Sequence, residues 1–306
     1  MRGKLLCSLI VVLSLAGCSQ SVNGSSSGGA EKVVEANPTK LLDLKEKTFQ
    51  TNVNLINKLN GEALATISPA EYKDEAKIKA FVKELAKKVD QPMVPVKLDG
   101  KGGLTKGQNR IVLNEEKAVE QIKGIKAFDK KIELPIEETA PNVSAEAVKG
   151  ISDTVIGTYT TTFDSSVKGR SANIALSSGD INNYVLGPGD RFYFNLITGP
   201  RTPERGYQKA MEIVNKEFVE GYGGGICQTS STLYNAVLNA GLEIIEVYNH
   251  SRNIGYVPVG KDATVAYGVK DFKFANNKPY PVMVRAIVGN GSLTIQITAA
   301  PQAVKS

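Results

Sequence analysis

Hydrophobic positions along the chain fall into short periodic runs separated by turns rich in Gly, Pro and Asn. In the first half, Leu41, Leu44, Val53, Ile56 and Leu59 predict an amphipathic helix. Ile78, Phe81, Val82, Leu85 and Val89, at spacings of three and four, predict a second, ended by Gln91-Pro92. Val94, Val96 and Leu98 alternate as a strand ahead of the turn Gly100-Lys101-Gly102-Gly103. Asn114 is the expected N-cap of a short helix that buries Ala118, Val119 and Ile122, and Lys131 to Ile136 alternates again.

The second half reads differently. Thr154 to Phe163 is strand-like, a short helix is expected within 173–183, and Leu186 to Asp190 is a turn before a strand from Arg191 to Leu196. Arg205 to Glu217 reads as a helix with Ala210, Ile213 and Val214 on one side. Leu233, Tyr234, Val237 and Leu238 form the apolar face of another helix, stopped by Gly241 and followed by a β-like segment from Leu242 to Val247. Val282 to Val288 and Leu293 to Ile297 flank Gly289-Asn290-Gly291 as a hairpin. Residues 1–150 hold four aromatic side chains and residues 151–306 hold sixteen, which sets a boundary near 150. The pattern predicts an α+β chain of two domains: a small α+β module over 39–150 and a β-rich domain over 151–300, with a helix starting at a Gly-rich loop.

The front of the chain carries an address. Leu5 to Leu15 is an apolar run behind Arg2 and Lys4, of signal-peptide length and too short to span a bilayer. It ends in Leu15-Ala16-Gly17-Cys18, which looks like the bacterial lipobox, so residues 1–18 read as a lipoprotein signal peptide and Cys18 as the lipidation site. Residues 19–38 are rich in Ser and Gly and read as a flexible tether with a reach of about 25 Å. The expected location is extracytoplasmic, lipid-anchored to the cell membrane of a bacterium, with the membrane a partner through Cys18.

Charge and rare residues narrow the chemistry. The net charge of +6 is scattered and does not point to nucleic acid, which is therefore not an expected partner. With one His and three Cys, a four-ligand zinc site is nearly excluded, and neither metal nor cofactor is expected. Cys7 leaves with the signal and Cys18 is lipidated, so Cys227 is the one thiol left in the exported chain.

Cys227 stands in Gly223-Gly224-Gly225-Ile226-Cys227-Gln228, at the start of the predicted helix. A helix N-terminus favours a thiolate, and the N–H groups of Gly224, Gly225, Ile226 and Gln228 are candidates to hold an oxyanion. His250, the one His, lies beyond the β-like segment. A helix of about 20 Å and a returning strand of about 25 Å bring Cys227 and His250 to the same end. Asp262 and Asp271 are both candidates to orient the imidazole; Asn249 is adjacent, but on a strand it points to the opposite face. Arg201, Arg205 and Arg252 are candidates to clamp a carboxylate.

These residues resemble the VanW family. The resemblance rests on Gly187-Pro188-Gly189-Asp190, Thr198-Gly199-Pro200-Arg201-Thr202, Gly223 to Gln228 with Ser231-Thr232-Leu233-Tyr234-Asn235-Ala236, Asn249-His250-Ser251 and Asp262-Ala263-Thr264-Val265, in family order over 153–297. Asp190 stands where many relatives have Glu. The 50–150 region is similar, more diffusely, to the peptidoglycan-binding domain that precedes several wall transpeptidases. The resemblance implies a β-rich VanW-like domain and a cysteine-dependent L,D-transpeptidase acting on peptidoglycan stem peptides. In that scheme Cys227 is the nucleophile, His250 the base, and N–H groups near Gly225 to Gln228 hold the oxyanion; Asp262 or Asp271 is left to orient the imidazole, and Arg201, Arg205, Arg252 and Asn249 remain candidates to bind substrate. Two rival readings stand beside it: a non-catalytic peptidoglycan-binding surface lipoprotein, and a cysteine peptidase or amidase acting on wall peptides.

Overall fold

The computed structural model describes residues 51–214 and 217–304. The signal peptide, Cys18, the tether, Leu41 and Leu44 lie outside the described residues. The described residues belong to one compact unit. Among the described residues no helix is long and apolar enough to cross a membrane.

The first part runs β1 (Val53–Asn57), β2 (Ala63–Ile67), α1 (Pro69–Tyr72), α2 (Glu75–Val89), β3 (Val96–Lys97), β4 (Arg110–Leu113), α3 (Glu115–Lys123), β5 (Lys131–Leu134) and β6 (Ile136–Thr139). The first predicted helix is replaced at Val53–Asn57 by a strand. Val53 and Leu55 are buried around an exposed Asn54, a period of two, and β1 pairs with β2 on one side and β5 on the other. The second predicted helix forms. Asp74 caps it by accepting from the N–H groups of Ala76 and Lys77, and Ile78, Val82, Leu85 and Ala86 are its buried face. Asn114 caps α3 through Lys117 N–H, burying Ala118 and Ile122 against the same core.

The second part runs β7 (Thr154–Thr162), α4 (Lys168–Ile181), β8 (Tyr184–Leu186), β9 (Arg191–Tyr193), α5 (Phe194–Thr198), a 3-10 turn (Pro203–Arg205), β10 (Lys209–Val214), β11 (Glu217–Tyr222), α6 (Ile226–Asn239), β12 (Glu243–Glu246), β13 (Lys273–Ala275), β14 (Val282–Gly289), β15 (Ser292–Ala299) and α7 (Pro301–Val304). Strands β3-β8-β14-β15-β7 form an antiparallel five-stranded sheet, so the 91–108 segment contributes a strand to it. Val148, Ile151, Val185 and Met283 make a small core there with Val96 and Leu98.

Helix α6 lies across β7 and β15, and α4 packs on β14 and α6. Gly157 on β7 is what lets α6 come close: a Cβ there would meet Ala236 O and Ala240 N at 2.5 Å. Leu233, Ala236 and Val237 are fully buried in the resulting core. Burial of a side chain such as Leu233 contributes about 2 kcal/mol. The hairpin of β14 and β15 turns at Gly289 and Ser292, with Gly291 at φ 78°.

Two expectations are corrected here. The predicted helix from Arg205 to Glu217 is a hairpin, paired from Lys209–Tyr222 to Val214–Glu217. Gly206 at φ 91° closes the preceding 3-10 turn, and the apolar side chains Met211, Phe218 and Tyr222 are exposed, so no helical face was there to bury. The strand expected from Arg191 to Leu196 stops at Tyr193, and α5 starts at Phe194, whose N–H donates to Phe272 O.

Candidate active site

The glycine loop is built by close backbone approach. Gly225 is the N-cap of α6 at φ 114°, a region that side chains strain to occupy. Gly224 sits under β10, where a Cβ would meet Met211 O at 2.6 Å. Buried Asn173 of α4 staples the two segments: its amide donates to Gly224 O and Gln208 O, and its carbonyl oxygen accepts from Gln208 N–H.

Cys227 occupies the first turn of α6. Its Sγ donates to Val265 O at 3.5 Å. The sequence predicts a thiolate, and the structure corrects this. Burial pushes the Cys227 thiol above its ordinary value; the Val265 bond and the charges of Arg201 and Arg170 act the other way and do not offset it, while Glu212 adds to the rise.

His250 and Asp262 form a buried pair. His250 Nδ1 lies 2.7 Å from Asp262 Oδ2, with both side chains 7% exposed. The same oxygen accepts the His250 backbone N–H at 2.6 Å, and Asn249 Nδ2 donates to Asp262 Oδ1 and O. Burial raises the Asp262 carboxyl, but these bonds from His250 and Asn249 outweigh it and hold it below the usual carboxylate value. The bond to Asp262 fixes the neutral ring with its proton on Nδ1, which leaves Nε2 as the proton acceptor. Residues 247–250 are loop, not strand, so Asn249 does not point to an opposite face; its amide is committed to Asp262 instead of to a substrate.

One extended segment ties thiol to imidazole. Asp262 holds His250; Ala263 accepts from Ser230 Oγ and donates to Ser231 Oγ; Val265 accepts from Cys227. Ser231 Oγ in turn donates to Cys227 O at 2.7 Å. Thus α6 grips 262–265 by a Cys-Ser-Ser face, and the two reactive groups attach to it three residues apart. Tyr256 lies in the same place. Burial drives its phenol pKa up, and its hydroxyl faces Ser231 within electrostatic reach of Cys227 and Asp262. Asp271, the other candidate for the imidazole, accepts from the N–H groups of Asn195 and Phe272.

The oxyanion set is narrower than predicted. Ile226 N–H donates to Gly223 O and Gln228 N–H to Gly225 O, so neither is available. The Cys227 N–H has no acceptor among the described residues. The Gln228 side chain is structural. It accepts from Arg170 at 2.7 Å and donates to Thr161 Oγ1 and Thr162 O.

The arginines separate. Arg201 is partly buried, donates to Gly199 O at 2.7 Å and Asn195 Oδ1 at 2.6 Å, and has no carboxylate within ion-pair distance among the described residues. Burial lowers its pKa, against the opposing pull of Tyr207, Cys227 and Asp271. Arg205 instead supports the Gly199 turn, bonding Thr198 O and pairing with Asp180. Arg252 stacks on Phe218 of the hairpin, 4.6 Å from the ring centre. Sequence reasoning missed Arg170, Tyr256 and Glu212, which carry no motif; Ser230 and Ser231 were legible as the i+3 and i+4 neighbours of Cys227.

A concavity of about 450 Å³, lined by Pro188, Arg191, Glu243, Asn276 and Lys278, lies at the other end of α6. The helix has 14 residues, about 21 Å, so that concavity is remote from Cys227.

An α+β scaffold that ties a cysteine at a helix N-terminus and a His–Asp pair to one extended segment defines a thiol-centred site on a β-rich domain. Residues 169–298 match the family described as VanW like protein. The chain is 38% identical over 248 residues to the uncharacterized protein YoaR of Bacillus subtilis (strain 168), covering 78% of this chain and 82% of that one. It is 24% identical over 135 residues to the vancomycin B-type resistance protein VanW of Enterococcus faecalis (strain ATCC 700802 / V583), covering 42% of this chain and 49% of that one. The chain belongs to the VanW family. No solved structure matches it.

Proposed function

We propose that the protein is a cysteine acyltransferase of the bacterial cell wall, an L,D-transpeptidase that forms 3-3 cross-links between peptidoglycan stems. The observation that carries this reading is the attachment of Cys227 and the His250–Asp262 pair to the single segment 262–265. In the reaction, His250 Nε2 takes the Cys227 proton as the sulfur attacks the carbonyl of the third stem residue. The Cys227 N–H stabilises the oxyanion. The terminal D-Ala leaves with the proton from His250, and the side-chain amine of a neighbouring stem then displaces the sulfur. Because desolvation raises the Cys227 pKa, acylation calls for the imidazole as base. Arg201 binds the donor carboxylate. Lipidation at Cys18 and the tether keep the enzyme outside the membrane and close to the wall.

The partly buried thiol, packed against the main core, also favours the rival in which Cys227 is a core residue of a wall-binding lipoprotein. One experiment separates them. The full chain is incubated with a disaccharide-tetrapeptide and its intact mass is measured beside Cys227→Ala. A mass gain on the wild type alone, discharged by an amine into a cross-linked dimer, is the expected result. Discharge only to water makes the protein a hydrolase. No adduct, with a thiol inert to alkylation, sinks the enzyme reading.

A further inference from the structure

We propose that Glu212 is the acceptor-amine site: its carboxylate receives the primary ammonium that attacks the acyl-enzyme. This rests on the acyl-transfer reading for its chemistry, but its evidence is separate.

Strand β10 alternates about the site. Ala210 is buried, with its backbone over Gly224, while Met211 is exposed. Glu212 therefore returns to the Ala210 side, facing the glycine loop. Gly221 pairs with Ala210 across the hairpin, and the Glu212 carboxyl occupies the space a Gly221 side chain would take. The glycine is what allows the carboxyl to lie against the hairpin's inner face. From there its charge acts on Cys227. On the outer face Glu220 is paired with Lys209 at 3.8 Å, whereas no described residue hydrogen-bonds or ion-pairs Glu212.

A partly buried carboxyl without a partner is costly to ionise, and burial raises Glu212 above the ordinary carboxylate value. A cation arriving from the ligand relieves that cost. Arg201 and Arg170 already supply positive charge around the sulfur for a carboxylate, so the missing complement is an anion for an amine. Glu212 is that anion.

The step balances as follows. The ammonium R–NH3+ gives one proton to the Glu212 carboxylate, becoming a free amine. Its lone pair attacks the thioester carbonyl, and the C–N bond forms. The oxyanion collapses, the C–S bond breaks, and the second amine proton passes to the departing sulfur. The products are an amide, the Cys227 thiol and a protonated Glu212, which returns its proton to solvent.

The test uses full-length Cys227→Ala, in which no acylation occurs, titrated with Nα-acetyllysine and followed by NMR. Saturable binding is expected. Adding Glu212→Gln weakens it about tenfold, as loss of a charge-assisted bond does, and Glu212→Asp in place of Gln restores most of it. Equal affinity in the Gln variant, or no saturable binding, overturns the proposal. In the active protein, Glu212→Gln lowers the ratio of amine capture to hydrolysis of the adduct about tenfold, and an unchanged ratio also overturns it. If Cys227 never acylates while lysine binding still depends on Glu212, the acyl-transfer reading fails and the amine site stands.

Discussion

His250 Nδ1 and Asp262 Oδ2 lie 2.7 Å apart, and the same carboxylate oxygen also accepts the His250 backbone N–H. Ring and backbone are thus locked to one atom. Asn249 occupies the other oxygen, so Asp262 is acceptor to three donors from two consecutive residues. The imidazole cannot rotate without breaking a bond that is shielded from water, and its free nitrogen keeps one direction.

Asp262→Asn keeps the shape and removes the charge. It should slow acylation of Cys227 about 100-fold, since the proton is no longer held on Nδ1. Adduct formation by mass spectrometry measures this. A rate within twofold of wild type would mean that the pair is structural.

The same pair sets a pH dependence. Asp262 has a folded pKa below its ordinary value of 3.8. Its contribution to stability is therefore present above the unfolded pKa and lost as pH falls through the folded one. Chemical denaturation between about pH 5 and pH 2.5 should show a loss of stability that is smaller in Asp262→Asn. Identical profiles would show that the carboxyl is not held below its unfolded value.

Cys227 behaves in the opposite sense. Its pKa is raised, so the folded state favours the thiol, and the stabilisation is present below the unfolded pKa and lost as pH rises toward the folded one. Iodoacetamide should modify the folded protein at pH 7 at least about tenfold more slowly than a free thiol, with the rate climbing above about pH 9. Rapid alkylation at neutral pH would contradict the burial argument.

Much of this was legible in the residues, and the misses have physical causes. Cys227, His250 and Asp262 were found because each belongs to a short motif, and α6 because Leu233 and Val237 repeat with its period. The thiol's pKa was misjudged because the helix N-terminus is a local property, whereas desolvation depends on what the fold closes over it. The β10–β11 hairpin was misread as a helix because Ala210, Ile213 and Val214 have the helical spacing of three and four, and cross-strand pairing overrides it. Arg170 and Tyr256 come from α4 and a loop, 57 residues before and 29 after Cys227, and nothing in their local sequence marks them. Asn249 was assigned to a strand that in fact ends at Glu246.

Arg201 offers a test of donor recognition. Two of its nitrogens are committed to Gly199 O and Asn195 Oδ1, which fixes the guanidinium plane. Lysine restores the charge without the fork. Arg201→Lys should raise the half-saturating concentration of a donor peptide about tenfold, and the difference should vanish for a donor whose terminal carboxylate is amidated. An equal effect on both donors would assign Arg201 to the α5 turn alone.

Gln228 is the residue that joins the sheet to the arginine beside the thiol. Its oxygen accepts from Arg170, and its nitrogen donates to Thr161 and Thr162 of β7. Gln228 is 1% and Thr161 2% exposed, whereas Arg170 is half-buried and Thr162 is exposed. Replacing Gln228 with Ala removes the bonds to Thr162 O and Arg170 and opens space above β7. Each lost bond contributes about 1 kcal/mol. Glutamate is the sharper substitution. It keeps the volume and strengthens the bond to Arg170, but it deletes the donor to Thr161 and Thr162 and sets its second carboxylate oxygen against the Thr162 carbonyl. Gln228→Glu should therefore lower the melting temperature despite the added ion pair. It should also slow acylation, because Arg170, whose positive charge lowers the Cys227 pKa, is then neutralised by a carboxylate. Melting and adduct formation measured on the one variant check both halves. A Gln228→Glu protein as stable and as reactive as wild type would show that neither the bonds to β7 nor the charge of Arg170 matters to the site.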